Sequence, residues 1–290
     1  MSVILITILA TLNVAYGSFY RSVVRINNGN TVTTFTNGNL GDIFGGASFL
    51  GEGATITING VTVVGGGSGN RIQGDGDVRS EERDCEPFSS IRVEGAVSVQ
   101  LTTGDSFKCQ VQGDSNLVEH VVVECANGEL VASLRQGVSF ATMNELKVIV
   151  QVPDQGRVLE RISVNGSGSF KSDDPLEVVE SLPLVLQASG SISAKINGGT
   201  VITQQNGSGH INLSGTCTNL NSNKSGSGGL NAVGLIADNV NISAVGSGRS
   251  NVHARVSLTA NLTGSGSIEY GGNPQQKSIN KVGSGSIRPY

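Results

Sequence analysis

Residues 207–268 read GSGHINLSGTCTNLNSNKSGSGGLNAVGLIADNVNISAVGSGRSNVHARVSLTANLTGSGSI, and a Gly-Ser-Gly triplet opens each of their repeats. The triplet continues in both directions: Gly166-Ser167-Gly168 and the shortened Ser189-Gly190 precede the stretch, and Gly283-Ser284-Gly285 follows it. The closing glycines Gly168, Gly190, Gly209, Gly228, Gly248, Gly266 and Gly285 are separated by 22, 19, 19, 20, 18 and 19 residues. A unit of this size cannot bury its own apolar face, so a steady period near 20 predicts stacked repeats, a solenoid.

The columns behind the period decide the kind of solenoid. Two residues after the closing glycines stand Phe170, Ile192, Ile211, Leu230, Ser250, Ile268 and Ile287, apolar except for Ser250. The next column, Lys171, Ser193, Asn212, Asn231, Asn251, Glu269 and Arg288, is polar throughout. A second apolar column runs Leu182, Val201, Leu220, Val240 and Leu258. Alternation with period 2 is the mark of a strand buried on one face. Two such strands per repeat, with glycine at the bend, predict a parallel β-helix of about 19–20 residues per rung. No stretch shows helical periodicity.

Composition agrees: the 290 residues include 41 Gly and no Trp, and only 14% are charged. A net charge of −4 without a Lys/Arg run excludes nucleic acid as a favoured partner. Residues 3–16, VILITILATLNVAY, are too short for a comfortable membrane span. With Ala15 and Gly17 before Ser18, residues 1–17 read as a secretory signal peptide, though one lacking a basic start. The mature chain is therefore expected to be extracellular or at the cell surface, without a transmembrane segment. Four cysteines, Cys85, Cys109, Cys125 and Cys217, allow two disulfides. Cys109 alternates with Phe107 and Val111, and Cys125 with Val121 and Val123, so Cys109–Cys125 is the expected bridge.

Residues 18–80 form a low-complexity Gly/Asn/Thr-rich segment with one β-hairpin at 55–64, TITI-NG-VTVV, whose Asn-Gly suits a two-residue turn. Gly65–Gly69 and the charged run to Arg83 read as a linker, and Gly74-Asp75-Gly76-Asp77 as a flexible acidic piece of it rather than a calcium loop. Residues 81–160 supply amino-terminal rungs and a cap, and 161–290 the Gly-Ser-Gly rungs. The order Phe88-Ser-Ser-Ile-Arg-Val-Glu-Gly95, Val99-Gln-Leu-Thr-Thr-Gly-Asp105, Leu146-Lys-Val-Ile-Val-Gln-Val-Pro153 and Ile162-Ser-Val-Asn-Gly-Ser-Gly168 resembles the putative auto-transporter adhesin head GIN domain family. The resemblance spans roughly residues 80–290. It implies a right-handed β-helix and export, and offers no catalytic residues to carry over. The cysteines and the sequons depart from the family's pattern and suit an oxidising secretory route.

Asn-x-Ser/Thr sequons place candidate N-glycosylation at Asn165, Asn206, Asn212, Asn223, Asn241 and Asn261. Asn212, Asn231 and Asn251 share an outward column and are expected to stack as an amide ladder. The alternative of a glycan lyase or hydrolase needs converging carboxylates. From Gly166 onward the acids are Asp173, Asp174, Glu177, Glu180, Asp238 and Glu269, four of them in one loop. His120, His210 and His253 form no constellation with a nucleophile or a metal-ligand set, and no cofactor is implied. The sequence thus reads as a secreted, non-catalytic, adhesin-like β-helix binding an extracellular protein or glycan. A purely structural coat protein is the other alternative, and the open solenoid end is a site for end-to-end self-association.

Overall fold

The computed structural model describes residues 71–135, 139–153 and 159–290, and the backbone of four strands nearer the amino terminus. The chain divides into two compact units, 1–71 and 72–290. In the first, β1 (Val24–Asn28) pairs antiparallel with β2 (Thr31–Phe35), and β3 (Thr55–Ile58) with β4 (Val61–Val64). The second pair runs in register from Thr55↔Val64 to Ile58↔Val61. The expected signal peptide and Gly65–Gly69 lie outside the described residues.

β5 (Arg71–Gln73) starts at the boundary, and β6 (Val78–Arg83), β7 (Ser90–Gly95), β8 (Ser98–Gly104) and β9 (Lys108–Asp114) follow in the second unit. Next come β10 (Val121–Ala126), β11 (Glu129–Leu134), β12 (Ser139–Ala141), β13 (Lys147–Pro153) and β14 (Arg161–Gly166). The rungs follow as β15 (Ser169–Glu177), β16 (Ser181–Ala188), β17 (Ser191–Asn197), β18 (Thr200–Gly207) and β19 (His210–Gly226). They end with β20 (Gly229–Gly246), β21 (Arg249–Gly264), β22 (Ser267–Gly271), β23 (Gln276–Val282) and β24 (Ser286–Pro289).

Parallel pairing stacks these strands into a β-solenoid of about seven turns. One face runs β7, β14, β16, β18 and then the later halves of β19, β20 and β21 to β23. The other runs β8, β15, β17 and then the earlier halves of β19, β20 and β21 to β22 and β24. The register aligns Phe170, Ile192, Ile211, Leu230, Ser250, Ile268 and Ile287 as expected. All but the last are buried, and Ile287 is partly covered. At the corner between the faces, Gly226 has φ +116°, in the left-handed region that glycine occupies without strain. The carbonyl of Gly207 beneath it accepts the N–H groups of Ser227 (3.1 Å) and Gly228 (2.9 Å), and the same bonds recur at other corners.

The cap contradicts the linker reading of 74–83. β6 pairs antiparallel with β9, and β9 with β13. Asp114 is fully buried and accepts the Met143 N–H (2.8 Å) and the Asn144 amide (2.6 Å). Burial raises its pKa, but the Asn144 side chain and the backbone N–H groups of Met143, Asn144 and Gly76 outweigh that and hold it below the usual carboxylate range. Asp75 likewise accepts the N–H groups of Asp77 and Ser115 and the Ser115 hydroxyl. The Gly-Asp-Gly-Asp stretch is therefore an ordered seam in which the Asp75 carboxylate is already engaged by the N–H groups of Asp77 and Ser115 and by the Ser115 hydroxyl.

The expected Cys109–Cys125 bridge is corrected to Cys85–Cys109, with Cα atoms 5.8 Å apart. Pairing of Arg83 with Cys109 carries Cys85 to the inward face of β9, while Cys125 sits on β10, which pairs with β11. Cys125 still comes close, its Sγ 3.5 Å from that of Cys85. Cys217 is a buried thiol whose pKa burial pushes up to about 12, the nearby Asp238 adding to the rise.

Candidate interaction surface

Both stacked faces present a grid of outward side chains, and the two grids differ in chemistry. From β16 to β23 the first face shows Pro183, Val185 and Gln187, then Ile202, Gln204 and Asn206 on the next rung. Asn221, Asn223 and Ser225 follow, then Asn241, Ser243 and Val245. Thr259, Asn261 and Thr263 lead to Ser278, Asn280 and Val282. None of these is charged.

The second face and its far border carry the charges. Lys171 pairs with Asp173 (2.5 Å), Arg255 with Asp238 (2.5 Å) and Arg288 with Glu269 (2.6 Å). Lys171 and the hydrogen bond from Gln100 (2.7 Å) hold Asp173 below the usual carboxylate range. Lys195 and Arg249 are exposed on the same face. A shallow groove of about 370 Å³ runs there, lined among others by Asp173, Lys195, Asn212 and Asn231. Another, of about 320 Å³, lies on the neutral face beside Gln204, Asn206, Asn223 and Ser243.

The expected acidic loop at 173–180 is for the most part the end of β15, and three of its acids go to separate neighbours. Asp173 faces Lys171 and Gln100, Asp174 accepts from the Thr103 N–H and hydroxyl, and Glu177 takes the Asn197 amide (2.8 and 2.9 Å). That division sends these three carboxylates to different partners rather than to one point. His210 and His253 stand on different rungs, and His253 Nδ1 lies 3.5 Å from the Tyr290 hydroxyl.

The amide ladder exists on a different column from the expected one. Asn212, Asn231 and Asn251 align in register but make no hydrogen bond with one another. The bonded chain is Asn219 to Thr200 (3.0 Å), Asn239 to Asn219 (3.1 Å) and Ser257 to Asn239 (2.7 Å). It stands at the strand starts, where one residue per rung leans along the stack.

Polar side chains inside the solenoid were not foreseen. Gln205 and Lys224 occupy successive rungs of one inward column, with relative exposures of 2% and 4%. Gln205 donates to the Gly209 carbonyl (2.5 Å), and Lys224 to those of Gly228 (3.0 Å) and Arg249 (2.9 Å). Burial lowers the Lys224 pKa to about 8. On β23 the inward positions are Lys277, Ile279 and Lys281, aligned with Leu258, Ala260 and Leu262. Inward charges at a sheet edge oppose the addition of another strand, so end-to-end pairing there would bury two ammonium groups.

Among the described residues one set of side chains has metal-ligand proximity: Cys85, Cys109 and Cys125, whose sulfurs lie within 4.8 Å of one another. Two of the three are joined in the disulfide. No helix among the described residues is long and apolar enough to cross a membrane.

A parallel β-solenoid with polar outer grids and an antiparallel cap defines the class of protein. Its family is given by residues 87–274, which match the family described as "Putative auto-transporter adhesin, head GIN domain", and the chain belongs to it. Among solved structures, a "putative adhesin" from Bacteroides fragilis NCTC 9343 matches with a TM-score of 0.63 at 23% identity, over 76% of this chain and 100% of its own. A "Putative lipid binding protein" from Parabacteroides distasonis ATCC 8503 matches with a TM-score of 0.56 at 25% identity, again over 76% and 100%. A "putative adhesin" from the same organism gives 0.57 at 20%, with the same coverage. No curated protein matches the chain.

Proposed function

We propose that this chain is an exported, non-catalytic attachment protein that binds an extracellular protein or glycan through its charged sheet face. The observation that carries the reading is the segregation of charge: one face is neutral from β16 to β23, while Lys171, Asp173, Lys195, Arg249 and Glu269 share the other. A rigid parallel stack holds such groups at fixed spacing, about 4.8 Å per rung, which suits a partner with repeated polar groups. Family membership and the adhesin-described structures support attachment as the role. The dispersal of the 173–180 carboxylates supports the non-catalytic part.

The test is binding of the full chain to cell surfaces and to a glycan panel, with the double charge reversal Lys195→Glu/Arg249→Glu as comparison. Saturable binding that weakens at least tenfold in the variant is the expected result. Absence of saturable binding, or binding indifferent to the reversal, would overturn the reading. Secretion is checked separately by recovering the chain from medium under its own amino terminus.

A further inference from the structure

The six sequons are not spread evenly around the solenoid. Parallel register puts Gln187 and Asn206 in one column of the neutral face, in line with Asn165 on β14, and Asn223, Ser243 and Asn261 in another. Asn241, in register with Asn221, belongs to a third column of that face. Only Asn212 lies on the charged face. Within β19, β20 and β21 the strand period does more than expose the asparagine. It sends the hydroxyl two residues on, Ser225, Ser243 or Thr263, to the same side.

Asn206, Asn223 and Asn241 are exposed, and Asn165 and Asn261 half-buried. None of the five uses its side-chain amide in a hydrogen bond, in contrast to Asn219 and Asn239 in the ladder, which head no sequon. The amides that the fold employs and the amides that could accept a sugar are thus different sets.

From these placements we infer that the neutral face is a glycan-bearing face, N-glycosylated at Asn206, Asn223 and Asn241. The inference rests on the export reading above, because the modification needs passage through a glycosylating lumen. A broad, flat, uncharged sheet has little to keep it apart from other surfaces, and a hydrophilic coat would do so while leaving the charged grid bare. Rung spacing sets a limit. Asn206 and Asn223 lie on adjacent rungs, as do Asn223 and Asn241, about 5 Å apart along the stack. Branched sugars on adjacent rungs collide, so each site is filled in part and neighbouring sites exclude one another.

The experiment expresses the full chain in glycosylating cells in two forms, one with its own amino terminus and one with residues 1–17 replaced by a host leader. Protein from the medium is treated with peptide N-glycosidase in heavy-oxygen water and mapped by mass spectrometry. Label is expected at Asn206, Asn223 or Asn241, each at partial occupancy. The double change Ser225→Ala/Ser243→Ala should remove label at Asn223 and Asn241, raise occupancy at Asn206 and leave the melting midpoint unchanged. A leader-delivered chain without label at these three positions, or labelled at Asn212 alone, would overturn the inference. If only the leader-delivered form is exported and it carries the label, the export reading fails and the glycan face stands.

Discussion

Lys224 offers the sharpest test of how this solenoid is held together. Its ammonium sits inside the stack at 4% exposure, with a pKa lowered by burial from 10.5 to about 8. In the unfolded chain the ordinary value of 10.5 applies. Between these values the unfolded state binds the extra proton, so stability must rise as pH rises from about 8 to 10.5. The gap of about 2.5 units, at about 1.4 kcal/mol each, corresponds to about 3–4 kcal/mol. Deprotonation costs no hydrogen bond, because a neutral amine keeps two N–H donors and the site presents two carbonyls, those of Gly228 and Arg249. Urea titration reads the effect: with an m-value of about 3 kcal/mol/M, the midpoint should climb by about 1 M from neutral pH to the upper end of the window. Lys224→Met keeps the length of the side chain and removes the titration, so its profile should lack this rise. Parallel profiles for the two proteins would refute the claim that the ammonium is buried at a cost.

Other expectations are briefer. Cys125 lies 3.5 Å from Cys85, so Cys109→Ser should transfer the bridge to Cys85–Cys125, whereas Cys125→Ser should leave Cys85–Cys109 intact, as read by non-reducing peptide mapping. Asp114→Ala should release the seam at 74–77, seen as new proteolytic cleavage there. The same carboxylate, its pKa held low in the folded state, contributes stability that is present above its unfolded value of 3.8 and lost as pH falls through the folded value. An acid titration of the wild type should therefore show a loss that the Asp114→Ala protein lacks. Arg288→Ala removes one exposed ion pair and should cost less than about 1 kcal/mol by denaturant titration.

The rungs were legible because apolar residues alternate there with polar ones. Where alternation fails, so did the reading. Asn219–Gly226, NLNSNKSG, contains one apolar residue, so nothing in the stretch itself shows that Lys224 points inward. Only its alignment with Gln205 and Ala244 on the neighbouring rungs does. Val78–Arg83, VRSEER, looks like a charged linker, yet it is a strand, because an edge strand in a cap needs backbone partners more than an apolar face. That hidden strand also concealed the disulfide, since it is what brings Cys85 to Cys109. The amide ladder was misplaced for a related reason. Spacing shows which asparagines align, whereas bonding depends on which side chains lean along the stack at a strand start.

The closing glycine of each triplet has a cause that joins these observations. Gly209 does not lie in the left-handed region, so its backbone does not require glycine; its surroundings do. A methyl group there would stand 2.4 Å from the Gly190 carbonyl oxygen and 2.8 Å from Cδ2 of Leu186. Leu186, Gln205, Lys224, Ala244 and Leu262 are one inward column. At each step the tip of the column side chain fills the space at the next corner: Gln205 at Gly228, Lys224 at Gly248 and Leu262 at Gly285. Gly266 is the exception, because its column neighbour is Ala244, too short to reach, and only backbone lies near. Overpacking of this kind costs about 1–3 kcal/mol, so Gly209→Ala should be the more damaging change and Gly266→Ala the milder. Shortening the neighbour should then recover part of the loss. In a double-mutant cycle, Leu186→Ala with Gly209→Ala should fall short of the sum of the single costs by about 0.5 kcal/mol or more. The alanine pair at Ala244 and Gly266 has no such term to give back. Strict additivity at Leu186 and Gly209 would mean that the carbonyl clash alone selects glycine, and the column would lose its part in fixing the repeat.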